Sequence, residues 1–149
     1  MQLKDFQSTN VLGLSVRTCN QDEMLPSKAK IGDLWAQFYS QHGCNLTENS
    51  NVYGIYTDYE SDFSGPYSVY AAADTFGASD ELIALTLSAG KYLVFSAQGE
   101  IPGSVIELWG HIWEHFSNGD AEYERAYTTD FEHFKSATSV DIYIAVKDN

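Results

Sequence analysis

Hydrophobic residues follow two different periods along the first half of the chain. Leu12, Leu14 and Val16 alternate with small or polar residues, which predicts a strand with one buried face. Further on, apolar residues recur at the i, i+3, i+4 and i+7 positions of one helix face. These positions are Ile31, Leu34, Trp35 and Phe38. The turn sequence PSK at 26–28 marks the start of this helix.

The second half repeats the same order of patterns. Leu85 and Leu87 alternate along a strand, in which the sequence SAGKY at 88–92 predicts a bend. An amphipathic helix follows, with its apolar stripe at Val105, Leu108, Trp109 and Ile112. Two further strands follow each helix, and we predict them at 52–59, 67–74, 126–134 and 140–147.

Four short sequence blocks match between the halves in the same order and at nearly constant spacing. LGLS matches LTLS, IGDLWAQFY matches VIELWGHIW, TDYE matches TDFE, and VYAAA matches IYIAV. We therefore predict one domain spanning 1–149, built from β-α-β-β pseudo-repeats at about 1–76 and 77–149. The predicted fold class is α+β, with an antiparallel sheet and both helices on one side. A seam between two such modules favours a central pocket.

Charge and composition restrict the classes of molecule that the protein is expected to bind. With 8 Lys and Arg against 21 Asp and Glu, the net charge of −13 repels nucleic acid and attracts cations. Some of the 10 Tyr, 8 Phe and 3 Trp belong to the core, but aromatic residues in this number also suit a pocket for flat apolar ligands. The sequence shows no bilayer-spanning apolar run and no signal-peptide pattern at its start, so we expect a cytoplasmic protein without membrane attachment. Cys19 and Cys44 are expected to be reduced, and no motif indicates a cofactor or a metal.

The duplicated pattern resembles a known family. GKYLVF at 90–95, a helix that carries Trp, FEHF at 131–134 and DIYIAVK at 141–147 occur in the order typical of GyrI-like effector-binding domains. This module is found at the C-terminus of many AraC-type and MerR-type transcription regulators, and as standalone proteins that include integron-cassette members. The resemblance implies two repeats around an aromatic pocket that binds lipophilic, often cationic, drugs.

The resemblance also implies ligand-binding residues. It places the pocket acid at Glu132, with Phe134 on the same strand face, and a second acidic-aromatic pair at Asp141 and Tyr143. Aromatic walls are implied on the strands and the helices. They are Tyr53, Tyr92, Tyr127, Trp35, Tyr39 and Trp113. Because Tyr56 and Tyr59 are three residues apart on a predicted strand, at most one of them is expected to face the pocket.

The repeated TDYE and TDFE motifs raise the question of which glutamate is the buried one. We interpret them as the same strand in two copies, so that Glu60 and Glu132 occupy equivalent positions. Glu60 stands beside Asp58 and Asp62 near a turn and is expected to be solvated. Glu132 precedes Phe134 and an apolar strand, so it is predicted to be buried, where it would bind a weakly hydrated organic cation.

Two other functions stay open beside small-molecule binding. Some GyrI-like proteins resemble hydrolases, and Glu132, Asp141 and Tyr143 could then serve as base, polarising group and acid. A protein-partner module is the other alternative. The resemblance leaves both a regulator-protein partner and a homodimer open, and direct nucleic acid binding is not expected.

One catalytic motif is set aside. HIWEH at 111–115 matches the inverted zinc-protease pattern His-x-x-Glu-His. On the predicted helix His111 shares a face with Glu107 and Glu114, opposite the apolar stripe. We interpret this face as solvated.

Overall fold

The computed structural model describes residues 1–62, 64–77, 81–119 and 121–147. The strands in these residues are β1 (Gln2–Phe6), β2 (Thr9–Thr18), β3 (Val52–Thr57), β4 (Tyr67–Ala73), β5 (Ile83–Leu87), β6 (Gly90–Gln98), β7 (Thr129–Ser136) and β8 (Ser139–Ala145). The helices are α1 (Asn20–Glu23), α2 (Ile31–His42) and α3 (Gly103–Ser117), with a 3₁₀ turn at Gly43–Asn45. The predicted fold class, α+β with an antiparallel sheet, is confirmed.

The eight strands of the described residues form one antiparallel sheet in the order β1-β6-β8-β7-β3-β4-β2-β5. Strands β3 and β7 lie side by side at its centre. The outermost strands are exchanged, because β1 pairs with β6 of the second half and β5 pairs with β2 of the first half. Each half therefore completes the sheet of the other.

This exchange corrects one sequence prediction. The residues around SAGKY do not form a single bent strand, because β5 ends at Leu87 and β6 begins at Gly90. The two strands then pair at opposite edges of the sheet. Strand β1 and the short helix α1 were not predicted. Alternation of apolar residues reports which face is buried, but it carries no information about the strand that lies alongside.

The two long helices pack on one face of the sheet through their predicted apolar stripes. Leu34 and Phe38 of α2 are buried against Val69, Ala71 and Ala73 of β4. Helix α3 does the same over the other half of the sheet. Its buried residues Val105, Leu108 and Ile112 contact Leu93, Phe95, Val140, Ile142 and Ile144. Together the helices leave the centre of this face, over β3 and β7, uncovered for a cavity.

A third cluster fills the opposite face and shows that the sheet is curled. Phe6 lies on the edge strand β1, yet its ring centroid is 4.9 Å from that of Phe131 on β7. Adjacent strands are about 4.8 Å apart, so a flat sheet would separate these strands by about 14 Å. The edges must therefore fold toward the face away from the helices. Tyr53, Ile55 and Tyr92 are buried in this same cluster.

The repeated motif does not occupy equivalent strand positions. Thr57 ends β3 and Thr129 begins β7, and the two threonines are direct partners with their hydroxyl oxygens 2.9 Å apart. Glu60 therefore lies beyond the end of β3 and is exposed. Glu132 lies inside β7 with 3% of its surface exposed. The interpretation of Glu60 and Glu132 as equivalents is wrong, whereas their predicted difference in burial is confirmed.

Candidate functional site

A cavity of about 850 Å³ opens between the two long helices and the centre of the sheet. Helix α2 contributes Trp35 and helix α3 contributes Trp109, while Glu132 comes from the sheet. Most of the wall is apolar or aromatic. This is the composition of small-molecule sites, in which few polar groups fix the orientation of a ligand.

Glu132 is the polar group at the base of this cavity. Its Oε2 accepts hydrogen bonds from the Tyr56 hydroxyl at 3.1 Å and from the Trp109 indole nitrogen at 2.7 Å. Both donors are neutral. Within the described residues, no ion pair involves Glu132. The carboxylate is therefore oriented by hydrogen bonds but not neutralised by a positive side chain.

Burial determines the protonation of this carboxyl group. Loss of solvent raises the pKa of Glu132 to about 7, because burial disfavours the charged form. The hydrogen bonds from Trp109 and Tyr56 lower the pKa by a smaller amount. Near neutral pH the free protein therefore holds a mixture of the acid and the carboxylate at this position.

Gly54 makes room for the carboxylate. It pairs directly with Glu132 across β3 and β7, so both lie on the cavity face. A Cβ atom at position 54 would overlap Oε1 of Glu132 and would lie 3.1 Å from the Trp35 ring. The absence of a side chain here lets Glu132 lie back against the sheet beneath the two tryptophans.

Aromatic rings form the walls on both sides. Trp35 stacks on Tyr39 at 5.9 Å between centroids and meets Phe134 edge-on at 5.4 Å. On the other side Trp109 meets Tyr56 edge-on at 5.3 Å. Tyr39 and Trp113 are about half exposed, so the mouth of the cavity has an aromatic rim.

A second buried acid lies two residues before Glu132 and is fully partnered. Asp130 is completely buried and accepts the Arg125 guanidinium at 2.6 Å, the Tyr59 hydroxyl at 2.6 Å and the Ala145 backbone N–H at 2.9 Å. The guanidinium of Arg125 lines the cavity and lies 4.5 Å from the centroid of the Tyr127 ring. Its charge is matched by Asp130, so the pair adds little net charge to the wall.

The cavity contains half of the ligand-binding residues predicted from the sequence. Those that line it are Glu132, Phe134, Trp35, Tyr39 and Trp113. They come from β7, α2 and α3, and the strand alternation placed Glu132 and Phe134 on one face as expected.

Four predicted residues lie on the opposite face of the sheet. Tyr53 and Asp141 both pair with His133, and Tyr143 pairs with Phe131. Paired residues share a face, and His133 and Phe131 alternate with Glu132, so these side chains point away from the cavity. Tyr92 is buried in the same cluster as Phe131. The resemblance identified the correct strands, but not the face that each residue occupies.

Asp141 has partners of its own on that face. Its carboxylate accepts a hydrogen bond from the Ser96 hydroxyl at 2.6 Å and lies 3.4 Å from the Lys135 ammonium. The hydrolytic group of Glu132, Asp141 and Tyr143 is therefore not assembled, because the sheet separates Glu132 from the other two residues.

Tyr127 is the fifth predicted residue outside the cavity. Its ring covers Arg125 and lies 5.6 Å from the ring of Tyr59. It precedes β7 with a positive φ of 53°. Tyr127 therefore packs behind the Arg125–Asp130 pair instead of facing a ligand.

Tyr56 and Tyr59 both line the cavity, which corrects the expectation that at most one could. Strand β3 ends at Thr57, and Asp58 follows with a positive φ of 52°. This left-handed turn interrupts the alternation of the strand. Tyr59 is thereby returned to the face that Tyr56 already occupies.

Sequence reasoning missed Trp109 as a cavity residue and assigned it to the apolar stripe of its helix. The signal was present in the alignment of Leu34–Trp35 with Leu108–Trp109. Because Trp35 was predicted to face the pocket, its counterpart in the second helix was an equal candidate. Arg125 and Glu23 were missed as well, since neither lies on a regular apolar pattern.

Within the HIWEH segment, His111 and Glu114 lie on the predicted solvated face. His111 and Glu107 are exposed, with 4.0 Å between the imidazole nitrogen and a carboxylate oxygen. Glu114 is exposed too.

Across the described residues, every helix is too short or too polar to cross a lipid bilayer.

Comparison with known proteins identifies the family. A model of integron-associated effector binding proteins matches residues 2–146. The chain belongs to this family. An integron cassette protein from the mobile metagenome of Vibrio cholerae is 46% identical, with a TM-score of 0.92 over 98% of this chain and 95% of that one. The resemblance to GyrI-like effector-binding proteins is thereby confirmed.

Two less similar structures share the fold of this effector-binding protein. SAV2435, solved bound to tetraphenylphosphonium, is 18% identical with a TM-score of 0.73, over 98% of this chain and 93% of that one. A candidate transcription regulation protein from Staphylococcus aureus is 20% identical with a TM-score of 0.75, over 99% and 97% of the two chains. No curated protein sequence matches the chain significantly.

Proposed function

We propose that this effector-binding protein holds lipophilic organic cations in the cavity between its helices, with Glu132 as the counter-ion. The observation that carries this proposal is a buried carboxylate that has two neutral hydrogen-bond donors and no positive partner among the described residues. A buried charge without a partner is strongly unfavourable. A cationic ligand supplies the missing partner.

The walls around Glu132 suit a cation whose charge is delocalised. Such an ion is weakly hydrated, so it enters an apolar cavity at a small desolvation cost. The faces of Trp35 and Trp109 would add about 0.5 to 2 kcal/mol each by cation–π attraction. Neither this attraction nor dispersion is strongly directional, so cations of different shapes would fit.

Similarity to other proteins supports the same class of ligand. SAV2435, which has the same fold, was solved bound to tetraphenylphosphonium, a lipophilic monocation. The family model describes effector binding. The net charge of −13 would also raise the local concentration of cations around the protein.

Titration with tetraphenylphosphonium tests the proposal, with neutral triphenylphosphine oxide as the matched ligand control. We expect saturable quenching of tryptophan fluorescence by the cation. In Glu132→Gln the affinity for the cation should fall at least about 30-fold, as for removal of one member of a buried charge pair. The affinity for the neutral compound should be nearly unchanged.

A surface control separates binding in the cavity from general attraction to an acidic protein. Glu60→Gln removes the same charge from an exposed position, and we expect it to leave the affinity for tetraphenylphosphonium within about twofold. Equal losses in Glu60→Gln and Glu132→Gln would contradict the proposal, as would the absence of saturable binding to the wild type.

A link to transcription regulation, through a regulator protein or a homodimer, stays a prediction from the resemblance. Size-exclusion chromatography with light scattering, with and without tetraphenylphosphonium, measures whether the protein is a dimer and whether the ligand changes its assembly. Recovery of the ligand after long incubation measures whether it is released intact, as binding without hydrolysis requires.

A further inference from the structure

A second carboxylate, that of Glu23, also lines the cavity. Glu23 lies in α1, and it joins this short helix to the start of α2. Its Oε2 accepts hydrogen bonds from the Thr18 hydroxyl at 2.6 Å and the Lys30 backbone N–H at 2.8 Å, and its Oε1 accepts the Ile31 backbone N–H at 3.1 Å. These bonds hold the carboxylate in a fixed position at the wall.

No positive side chain among the described residues pairs with Glu23. The ammonium of Lys30 is close along the chain, but it donates to the backbone oxygen of Arg17 at 2.9 Å. Arg125 is the cation of the cavity wall, and it is paired with Asp130 at 2.6 Å. Among the described residues that line the cavity, the carboxylates without a positive partner are therefore those of Glu132 and Glu23.

Tyrosine rings lie between these two acids. Tyr56 donates to Glu132, and its ring centroid is 5.8 Å from that of Tyr67. The Tyr67 hydroxyl donates to Asn20 of α1 at 2.6 Å, in the helix that carries Glu23. Burial raises the pKa of Tyr67, and the negative charges of Glu23 and Glu132 both raise it further. Tyr67 thus connects the surroundings of Glu132, through Tyr56, with the helix that carries Glu23.

The size of the cavity exceeds what a single compact cation requires. Its volume of about 850 Å³ lies toward the upper end of the range for small-molecule sites. A monocation centred on Glu132 would leave the Glu23 end of the cavity unoccupied by positive charge. The path between them follows Tyr56 and Tyr67.

We propose that the preferred ligands of this cavity are elongated dications, with one positive group held by Glu132, the other by Glu23, and the spacer lying along Tyr56 and Tyr67. This inference rests on the proposed function, because it takes Glu132 to be a cation-binding residue. It adds a second binding residue and a ligand class to that function.

The test compares α,ω-bis(trimethylammonium)alkanes with alkyltrimethylammonium ions of the same chain length, by calorimetry at pH 8. The monocations carry the same apolar chain, so the comparison isolates the second charge. We expect a dication of the best length to bind the wild type about tenfold more tightly than its monocation. The affinity should pass through a maximum as the spacer lengthens, because the two carboxylates are a fixed distance apart.

Variants test which residue binds the second positive group of the dication. Glu23→Gln keeps an oxygen that can accept from the backbone of α2. In this variant the affinity for the dication should fall to about the affinity for the monocation measured on the same variant. Glu132→Gln should weaken both ligands. Glu60→Gln, which removes an exposed charge, should preserve the advantage of the dication.

The possible outcomes separate this inference from the function on which it rests. Normal monocation binding with no advantage for any dication overturns the inference and leaves the proposed function standing, whereas the absence of binding by either ligand overturns both. An advantage that persists in Glu23→Gln also overturns the role of Glu23. If Glu23→Gln fails to fold, the series of spacer lengths on the wild type still tests the proposal. An affinity that rises steadily with spacer length indicates apolar contact alone and contradicts the proposal.

Discussion

Two buried acids on β7, Asp130 and Glu132, lie two residues apart on the same face of the sheet and differ in their partners. Asp130 accepts hydrogen bonds from Arg125, Tyr59 and a backbone N–H, and its charge is matched within the protein. Glu132 accepts two hydrogen bonds from neutral groups. The first acid has a positive partner within the protein, whereas the second is oriented by hydrogen bonds and has no counter-ion in the part of the chain that the structure describes.

Burial alone therefore does not identify a binding carboxylate. Both acids are at most 3% exposed, and both contact a tyrosine hydroxyl. What distinguishes them is Arg125, which stands beside Asp130 and does not pair with Glu132. Asp130 therefore supports the fold, and we infer that Glu132 serves the ligand.

Replacing Asp130 with Asn should have the largest effect on the free energy of unfolding. The change leaves the buried guanidinium of Arg125 without its negative partner, which typically costs about 3 to 5 kcal/mol. Urea denaturation at pH 7 measures this loss. An Asp130→Asn protein as stable as the wild type would contradict the structural role of the pair.

The matching change of Glu132 to Gln should increase the free energy of unfolding, which is the opposite effect. Burial raises the pKa of Glu132 from 4.5 to about 7, so between these values the folded state binds a proton that the unfolded state has lost. The stability of the wild type therefore falls as the pH rises through this window and stays low above it. Gln does not titrate, so at pH 8 Glu132→Gln should be more stable by up to about 3 kcal/mol.

Urea denaturation at pH 4 provides the control for this second prediction. At that pH Glu132 is protonated in the folded state and mostly protonated in the unfolded state, so the stability gain of Glu132→Gln should nearly vanish. A gain of equal size at pH 4 and pH 8 would show that its cause is packing and not ionisation.

The affinity for a cation should fall as the pH falls below the pKa of Glu132. Only the ionised form of Glu132 neutralises the ligand, so below pH 7 binding must first remove a proton. Between pH 8 and pH 5 the affinity for tetraphenylphosphonium should fall about 100-fold in the wild type. Glu132→Gln should bind weakly with almost no pH dependence, and a parallel fall in both proteins would point to another titrating group.

A smaller effect is expected when the space behind the carboxylate is filled. In Gly54→Ala the new methyl group overlaps Oε1 of Glu132, so the carboxylate must shift from the position in which it accepts the hydrogen bond from Trp109. Losing one charge-assisted hydrogen bond should lower the affinity for the cation about tenfold. Gly110→Ala on α3 is the matched control, because a Cβ there meets nothing within 4 Å. Equal affinities of both variants would show that the position of the carboxylate does not matter.

Local periodicity predicted much of the fold, because each helix and strand buries the face that its apolar residues define. The stripes of α2 and α3 were correct, and so was the burial of Glu132 beside Phe134. Pairing could not be predicted in the same way. Strands β1 and β5 exchange between the halves, and the alternation of apolar residues is the same whichever strand lies alongside.

The cavity itself was harder to predict because strand faces depend on single residues. Tyr53 and Tyr143 lie on the predicted strands, but one residue out of step with Glu132, and this places them on the other face. Tyr59 is the opposite case. Strand alternation would place it away from Tyr56, but the left-handed turn at Asp58 interrupts the alternation and places it on the cavity face. Arg125, the partner of Asp130, lies outside the helices and strands, and no periodic pattern of apolar residues predicts it.

Proton release on binding tests the central claim most directly, because it counts the ionisation of Glu132 itself. Calorimetric titration with tetraphenylphosphonium in two buffers of different ionisation enthalpy gives the number of protons released per bound cation. At pH 6 the wild type should release about 0.9 proton per cation, since most Glu132 is protonated before binding, and at pH 8 about 0.1. Glu132→Gln should release none at either pH. Cation binding to the wild type at pH 6 without proton release would contradict the assignment of Glu132 as the counter-ion.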